Sequence, residues 1–517
     1  MKFDRQTPPA GTVRDWVDSR ANEGGTAIVF PETGETLSWP DLQAHAAQIA
    51  GDLTAQGIAK GESVVVMHPN GLEGIKALFA ALYGGFRVTM LNLAAGADAL
   101  GYAMTHSEAR VAFVHDAQLE FFNQVRPDNL NLFESCGESK ELYDIDPADD
   151  ALLMYTSGTT GRPKGVVHTQ SSLLAGGWTV TVAHELTPQD RGMGVLPFYH
   201  INGLCVSVMG SLVSGGSLAM VSRFSASKFW DQAADGGITW FSVVPTIISH
   251  LLHGAAEPKP SLKAQLRFAR SASSALALET QRAFQDRFGI AIVESLGLTE
   301  TAAQCLVNPL DPALHKIGSA GCAIGTEARI ADESGKECAR GAEGEILIRG
   351  PNVMKEYLRN PDATNGTFHA DWLRTGDLGR MDEDGYVFVT GRLKELIIKG
   401  GENIAPREID EALYEHPDVV EAAAFARPCD RYGERVEAAV RLSEASTTSS
   451  ADLLALCVKR VGQFKAPDIV HIMSELPKGA SGKIQRLHLN KMLYGQRDLT
   501  VALHSTQGVE DQTATHQ

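Results

Sequence analysis

The stretch YTSGTTGRPKGVVH runs from Tyr155 to His168, directly after the apolar run ALLM. Hydroxyls, glycines and a lysine crowd together in it, and a buried core has no use for that mixture. Ser157, Gly158, Thr159, Thr160 and Gly161 make a loop whose backbone N–H groups can converge on one anion. Glycine permits the dihedrals this needs, and the hydroxyls add further donors. Lys164 supplies a mobile positive charge suited to phosphate, and Pro163 stiffens the segment. The strand-like ALLMY ahead of the loop sets it at a strand end, where α/β sheets bind ligands. The spacing differs from the Walker A pattern, so this is not the loop of a P-loop NTPase.

Outward from this loop, short apolar runs alternate with longer amphipathic ones. SVVVMHP (Ser63–Pro69) precedes the helix-like GLEGIKALFAALYGG, and FRVTMLN, helix-like ADALGYAMTHS and ARVAFVHD follow. The rhythm returns in ITWFSVVPT (Ile238–Thr246) with helical IISHLLHG, and again in LRFARS, ALALETQRAFQDRFG and IAIVESLG. This predicts an α/β fold whose large N-terminal domain holds mostly parallel, helix-covered sheets. From Gly318 to about Arg392 the segments turn β-rich and turn-rich, like a small barrel or meander. Residues 393–495 read as helix, turn, strand and helix, the size of a small α+β domain. The polar tail, 496–517, is expected to be disordered.

At 517 residues the chain is too long for one ordinary core, so two or more domains are expected. Its formal net charge is −17, which argues against a general nucleic-acid or acidic-membrane partner. Seven scattered cysteines form no CxxC pair, which suits reduced thiols in a cytoplasmic protein. The N-terminal MKFDRQTPPAGTVRDW lacks the apolar core of a signal peptide. Gly192–Ser222 carries no Asp, Glu, Lys or Arg, but Pro197, His200, Asn202 and repeated Gly and Ser interrupt it. A buried strand-and-helix region is expected there rather than a membrane span.

Further motifs follow in order. PFYHING spans Pro197–Gly203, SASSAL Ser271–Leu276, LGLTE Leu296–Glu300, RTGDLG Arg374–Gly379, and PKGASGKIQR Pro477–Arg486. GRLKELIIKGGENIAPREID lies between the last two. With the Tyr155–His168 stretch, this set resembles the adenylate-forming superfamily of acyl-CoA synthetases, luciferases and peptide-synthetase adenylation domains. The resemblance covers the chain except its tail. It implies an adenylation domain over 1–391 and a mobile C-terminal domain over 392–495, with Lys394 at the hinge.

The resemblance also implies roles. Thr156 to Gly161 and Lys164 hold the ATP phosphates. Ser273, Ser274 and Ala275 lie along adenine, with Leu296 and Gly297. At Leu296 the family's usual stacking aromatic is replaced by an aliphatic side chain. Thr299 contacts the adenylate phosphate and Glu300 holds Mg²⁺, since a carboxylate beside a triphosphate needs a hard cation between them. Asp377 and Arg392 bind ribose. Gly400 and Gly401 let backbone approach the CoA arm. Lys483 offsets the repulsion between the attacking carboxylate and the α-phosphate. His200 lies between the acyl pocket and the thiol tunnel, where it gates or polarises rather than acting as the base.

The implied reaction is AMP-forming ligation with ATP, Mg²⁺ and CoA as cofactors. A carboxylic acid is adenylated, then the acyl group passes to a thiol, for which CoA is the simplest choice in a chain without a carrier module. Luciferase-type oxidation on the same scaffold stays open. Acyl-pocket candidates are Asn202, Ser242, Thr246, Arg270 and Gln304, a lining too polar for a fatty-acid tunnel. RFARSASSAL and FSASKFW are similar to segments of oxalyl-CoA synthetases. A short acid with a second polar or anionic group is therefore expected, as in oxalate, another small dicarboxylate or a sulfonated acid. An aryl or medium-chain fatty acid is the alternative within this class. A non-catalytic nucleotide-binding member is the alternative outside it, although the retained Lys483 and Glu300 speak against that.

Overall fold

The computed structural model describes residues 3–156, 162–429, 431–444, 446–479 and 483–495. The chain divides into two compact units, Met1–Thr390 with Gly479–Lys483, and Gly391–Lys478 with Ile484–Gln517. The large unit is built on two mixed sheets and a smaller antiparallel one. In the nine-stranded sheet, Ser217–Met220, Arg191–Gly194, Trp240–Val243, Phe268–Ser271 and Ile292–Leu298 run parallel as successive neighbours. Every residue of Phe268–Ser271 is buried, as expected for a strand covered on both faces. In the seven-stranded sheet, Ser63–Met67, Arg87–Met90 and Asp150–Thr156 run parallel, and Lys164–Thr169 returns antiparallel beside the last. The α/β reading of the sequence therefore describes the large unit.

The helix-like segments of the sequence form helices. Leu72–Gly84 is buried over most of its length and ends on Gly85, whose φ of 80° suits the left-handed C-cap. Gln170–Ala183 begins with a capping box on Thr169. The β-rich stretch becomes an antiparallel meander of Glu327–Ala331, Glu343–Arg349 and Trp372–Met381, extended by Phe368–His369. Two local features depart from the expectation. Thr246 lies in the first turn of helix Pro245–His253, not at a strand end, because Pro245 suits the start of a helix. The uncharged Gly192–Ser222 region contains a π-helical segment, Asn202–Met209, that apolar periodicity does not reveal. No helix among the described residues is long and apolar enough to cross a membrane.

The small unit has a five-stranded sheet. Val419–Cys429 and Gly433–Leu442 form its long antiparallel pair, and Ile469–Ile472 joins the latter in parallel. Helices Pro406–Tyr414 and Ser450–Lys465 contribute Ile409, Leu413, Leu453 and Cys457 to a core with Ile397, Ala424, Val436 and Val440. The tail beyond residue 495 lies outside the described residues.

Candidate active site

Strands Trp240–Val243, Phe268–Ser271 and Ile292–Leu298 bring their C-terminal ends to one edge, where open α/β sheets take ligands. Ser242 stands beside Arg270 in register. After Leu298 the chain makes the short turn Thr299–Thr301 and returns antiparallel as Ala303–Val307, with Gly297 opposite Gln304. Glycine is required at 297: a Cβ there would come within 1.8 Å of the Ala303 carbonyl oxygen.

Arg270 centres a polar cluster at this edge and is 1% exposed. Its Nη1 donates to Ser242 Oγ at 3.0 Å and to Asn202 Oδ1 at 3.2 Å, and its Nε donates to Gln304 Oε1 at 3.4 Å. Asn202 Nδ2 in turn donates to Ser273 Oγ at 3.1 Å, and Gln304 Nε2 to the Thr179 carbonyl at 3.2 Å. Asn202 opens the π-helical segment, and Gly203 follows where a Cβ would meet the Pro197 carbonyl oxygen at 2.3 Å. Ser273 holds a left-handed φ of 75°, a conformation that costs a non-glycine residue some strain. These hydrogen-bond partners of Arg270 are all neutral groups. Burial pulls the Arg270 pKa down to about 9, with no carboxylate opposing that fall. The guanidinium is thus a buried cation whose counter-charge is not supplied by the described residues around it. Burial, then the Arg270 charge, also holds His184 well below its ordinary pKa.

A second cluster joins the quoted stretch to the LGLTE turn. Thr156 and Lys164 are register partners where Asp150–Thr156 and Lys164–Thr169 meet, and Glu356–Tyr357 pairs with the other edge of the latter strand. The Tyr357 hydroxyl donates to Glu300 Oε1 at 2.7 Å, while Lys164 Nζ stands 4.5 Å from the Tyr357 ring centre. An aromatic ring attracts the ammonium through its face, so Tyr357 meets both charged groups, Lys164 with its ring and Glu300 with its hydroxyl. Burial, then the Glu300 charge, pushes the Tyr357 phenol far up, which keeps it a donor. His168 is fully buried, and burial pulls its pKa down to about 4. The neutral ring donates from Nε2 to the Thr299 carbonyl at 2.7 Å and accepts at Nδ1 from Ser172 Oγ at 3.1 Å.

The structure thus gathers Asn202, Ser242, Arg270, Ser273 and Gln304 in one place, and Lys164, Thr299 and Glu300 in another. Ser157, Gly158, Thr159, Thr160 and Gly161 lie outside the described residues. Ser274 and Ala275 follow Ser273 in the turn before helix Leu278–Phe288. Leu296 packs against an apolar cluster of Cys305, Leu306, Ile346 and Ile348. Asp377 is buried on strand Trp372–Met381 and donates its N–H to Thr375 Oγ1 at 3.1 Å. His200, two residues before Asn202, is pulled down to about 4 by burial and is neutral at pH 7. In the small unit, Arg392 ends strand Val387–Arg392 and Lys394 occupies the turn Leu393–Glu395. Gly400 and Gly401, at φ 61° and 85°, make the turn between Ile397–Lys399 and Glu402–Ile404. The Lys483 carbonyl accepts from the Gly479 N–H at 2.8 Å.

Sequence reasoning missed Tyr357, His168, His184 and Thr179. His168 closes the quoted stretch and offered a signal in its polar ring at the end of an apolar strand. Tyr357 in KEYLRNP offered none, because only strand pairing brings it to Glu300.

The chain matches the AMP-binding enzyme family over residues 16–358 and the AMP-binding enzyme C-terminal domain over residues 408–483. It is 44% identical over 479 residues to a sulfoacetate–CoA ligase of Cupriavidus necator, covering 89% of this chain and 94% of that protein. It is 35% identical over 452 residues to an oxalate–CoA ligase of Arabidopsis thaliana, covering 83% and 88% of the two chains. The structure of ATP-bound MatB from Rhodopseudomonas palustris superposes with a TM-score of 0.85 at 29% identity, covering 94% of this chain and 99% of that one. With both family matches in chain order and similarity along most of its length, the chain belongs to the AMP-binding enzyme family, among the acid–CoA ligases.

Proposed function

We propose that this ligase activates a short carboxylic acid carrying a second, distal anion, such as a sulfonated acid or a small dicarboxylate, and joins it to CoA. One observation carries the choice of acid: Arg270 is buried among neutral partners. Leaving a buried cation uncompensated is unfavourable by several kcal/mol in general, and a ligand anion beside it removes that penalty. A fatty-acid tunnel would instead be lined by apolar groups. Sulfoacetate and oxalate, the acids named for two relatives, share this short dianionic character.

The residues present fit Mg·ATP. Among the described residues no group of three or more His, Cys, Asp or Glu could hold a metal by itself. Mg²⁺ suits such a site, since it takes one or two protein carboxylates and completes its shell with phosphates and water. Glu300, oriented by Tyr357, is the carboxylate, and Mg²⁺ bound there neutralises charge on the phosphates. Lys164 and the Thr156–Gly161 loop hold phosphate oxygens, His168 fixes the Thr299 carbonyl so that the turn presents Thr299, and Asp377 and Arg392 hold the ribose. Lys483 offsets the repulsion as the substrate carboxylate approaches the α-phosphorus. The small domain, residues 392–495, then pivots at Lys394 to bring Gly400 and Gly401 to the thiol. His200, neutral at pH 7, shapes the passage between acid and thiol rather than taking a proton.

AMP and pyrophosphate release, followed with Mg·ATP against oxalate, malonate, sulfoacetate, benzoate and hexanoate with and without CoA, tests this reading. CoA-dependent AMP release with one of the three dianions is expected. Turnover confined to benzoate or hexanoate would overturn the choice of acid.

A further inference from the structure

The Arg270 cluster contains two side-chain amides, each one atom away from a carboxylate: Asn202 and Gln304. An Asp or a Glu at either position would give the guanidinium a built-in counter-ion. Their surroundings are not equivalent. Gln304 uses its Nε2 to donate to a backbone carbonyl, that of Thr179 at 3.2 Å. A carbonyl can only accept, so a Glu oxygen there would face another acceptor. Asn202 uses its Nδ2 to donate to a hydroxyl, Ser273 Oγ at 3.1 Å. A hydroxyl can turn and donate instead, and Ser242 Oγ already donates to Asn202 Oδ1 at 3.2 Å. The cluster therefore accommodates Asp at 202 without an unsatisfied contact, and does not accommodate Glu at 304.

We infer that Asn202 is a specificity-determining residue: its neutral amide, 3.2 Å from Arg270 Nη1, keeps the guanidinium uncompensated and so reserves it for the distal anion of the acid. The inference rests on the reading of Arg270 as the anion-binding group. The π-helical start at Asn202, pinned by Gly203 under the Pro197 carbonyl, delivers the amide to this spot. An Asp at 202 would pair with Arg270, repel a second anion, and leave a neutral polar pocket that takes an acid with an uncharged end.

The test compares Asn202→Asp, Asn202→Leu and Arg270→Met with the wild-type full chain. The assays are kcat/KM for sulfoacetate, oxalate, acetate and propionate, and calorimetric binding of each acid in the presence of a non-hydrolysable ATP analogue. Asn202→Asp is expected to lower kcat/KM for the preferred dianion by about a hundredfold or more, since like-charge juxtaposition in a desolvated site is strongly unfavourable. It is expected to raise that for acetate or propionate, reversing the preference. Asn202→Leu, which removes the hydrogen bonds without adding charge, is expected to weaken all acids alike. If Arg270→Met abolishes the preference for dianions while Asn202→Asp leaves it intact, the inference fails and the reading of Arg270 survives. If Arg270→Met also leaves the preference unchanged, both fail. Asn202→Asp is expected to melt no lower than the wild type, since the new carboxylate pairs with Arg270 and the Ser242 and Ser273 hydroxyls can donate to it. Should Asn202→Asp lose all acids equally, as Asn202→Leu does, Asn202 is structural and the inference is overturned.

Discussion

Arg270→Met is expected to leave the protein as stable as the wild type, or more so, while removing its response to dianionic acids. Methionine keeps an unbranched apolar stem and drops the charge. The fall of the Arg270 pKa from 12.5 to about 9 corresponds to about 5 kcal/mol of disfavour for the charged form in the folded state. Arginine is a base whose folded pKa is depressed, so this penalty is complete at every pH below about 9 and fades only above it. Against it stand the three hydrogen bonds to Ser242, Asn202 and Gln304, each worth about 1 kcal/mol net. Ser242 and Asn202 keep each other after the substitution, so Gln304 Oε1 alone is left to find a new donor, at about 1–3 kcal/mol. The balance falls within about 2 kcal/mol of zero, whereas breaking a buried ion pair is destabilising by about 3–5 kcal/mol. Urea unfolding of both proteins at pH 7.5, with and without sulfoacetate, checks this. A ligand at a hundred times its Kd stabilises by about 2.7 kcal/mol, and that increment is expected in the wild type and absent in the variant. A variant destabilised by more than about 3 kcal/mol, or stabilised by sulfoacetate as the wild type is, would refute the argument.

Tyr357→Phe removes the hydroxyl at 2.7 Å from Glu300 and keeps the ring against Lys164. A hydrogen bond to a charged acceptor is worth about 1.5–3 kcal/mol, so the Mg²⁺ concentration for half-maximal pyrophosphate release is expected to rise about tenfold or more. The KM for ATP at saturating Mg²⁺ is expected to move far less. His168 is held neutral with a pKa of about 4, so the unfolded chain binds its proton first as pH falls below about 6.5. Between pH 7 and pH 5 this removes about 2 kcal/mol of stability, a loss that His168→Gln should spare in urea titrations at the two pH values. Gly297→Ala drives a Cβ to 1.8 Å from the Ala303 carbonyl oxygen, so the two strands must part. Destabilisation of about 2 kcal/mol or more and loss of nucleotide binding by calorimetry are expected.

The sequence by itself determined the fold class, the order of the motifs and the family they point to. Those properties are local: apolar periodicity sets strand or helix, and Lys164, Glu300 and the glycines are recognisable from their immediate neighbours along the chain. It also marked Asn202, Ser242, Thr246, Arg270 and Gln304 as acyl-pocket candidates, and the structure joins all of these except Thr246 in one hydrogen-bonded polar cluster. Tertiary structure alone decided what those residues do to one another. That Arg270 meets amides and a hydroxyl rather than a carboxylate depends on side chains 28 to 68 positions away. Tyr357 reaches Glu300 across 57 positions because a two-residue strand pairs with Lys164–Thr169. The π-helical segment at Asn202 also lies beyond the sequence pattern, since an apolar run reads alike in α- and π-helical form. Charge compensation in a buried site is set by what packs around the charge, and packing brings together residues that the sequence keeps far apart.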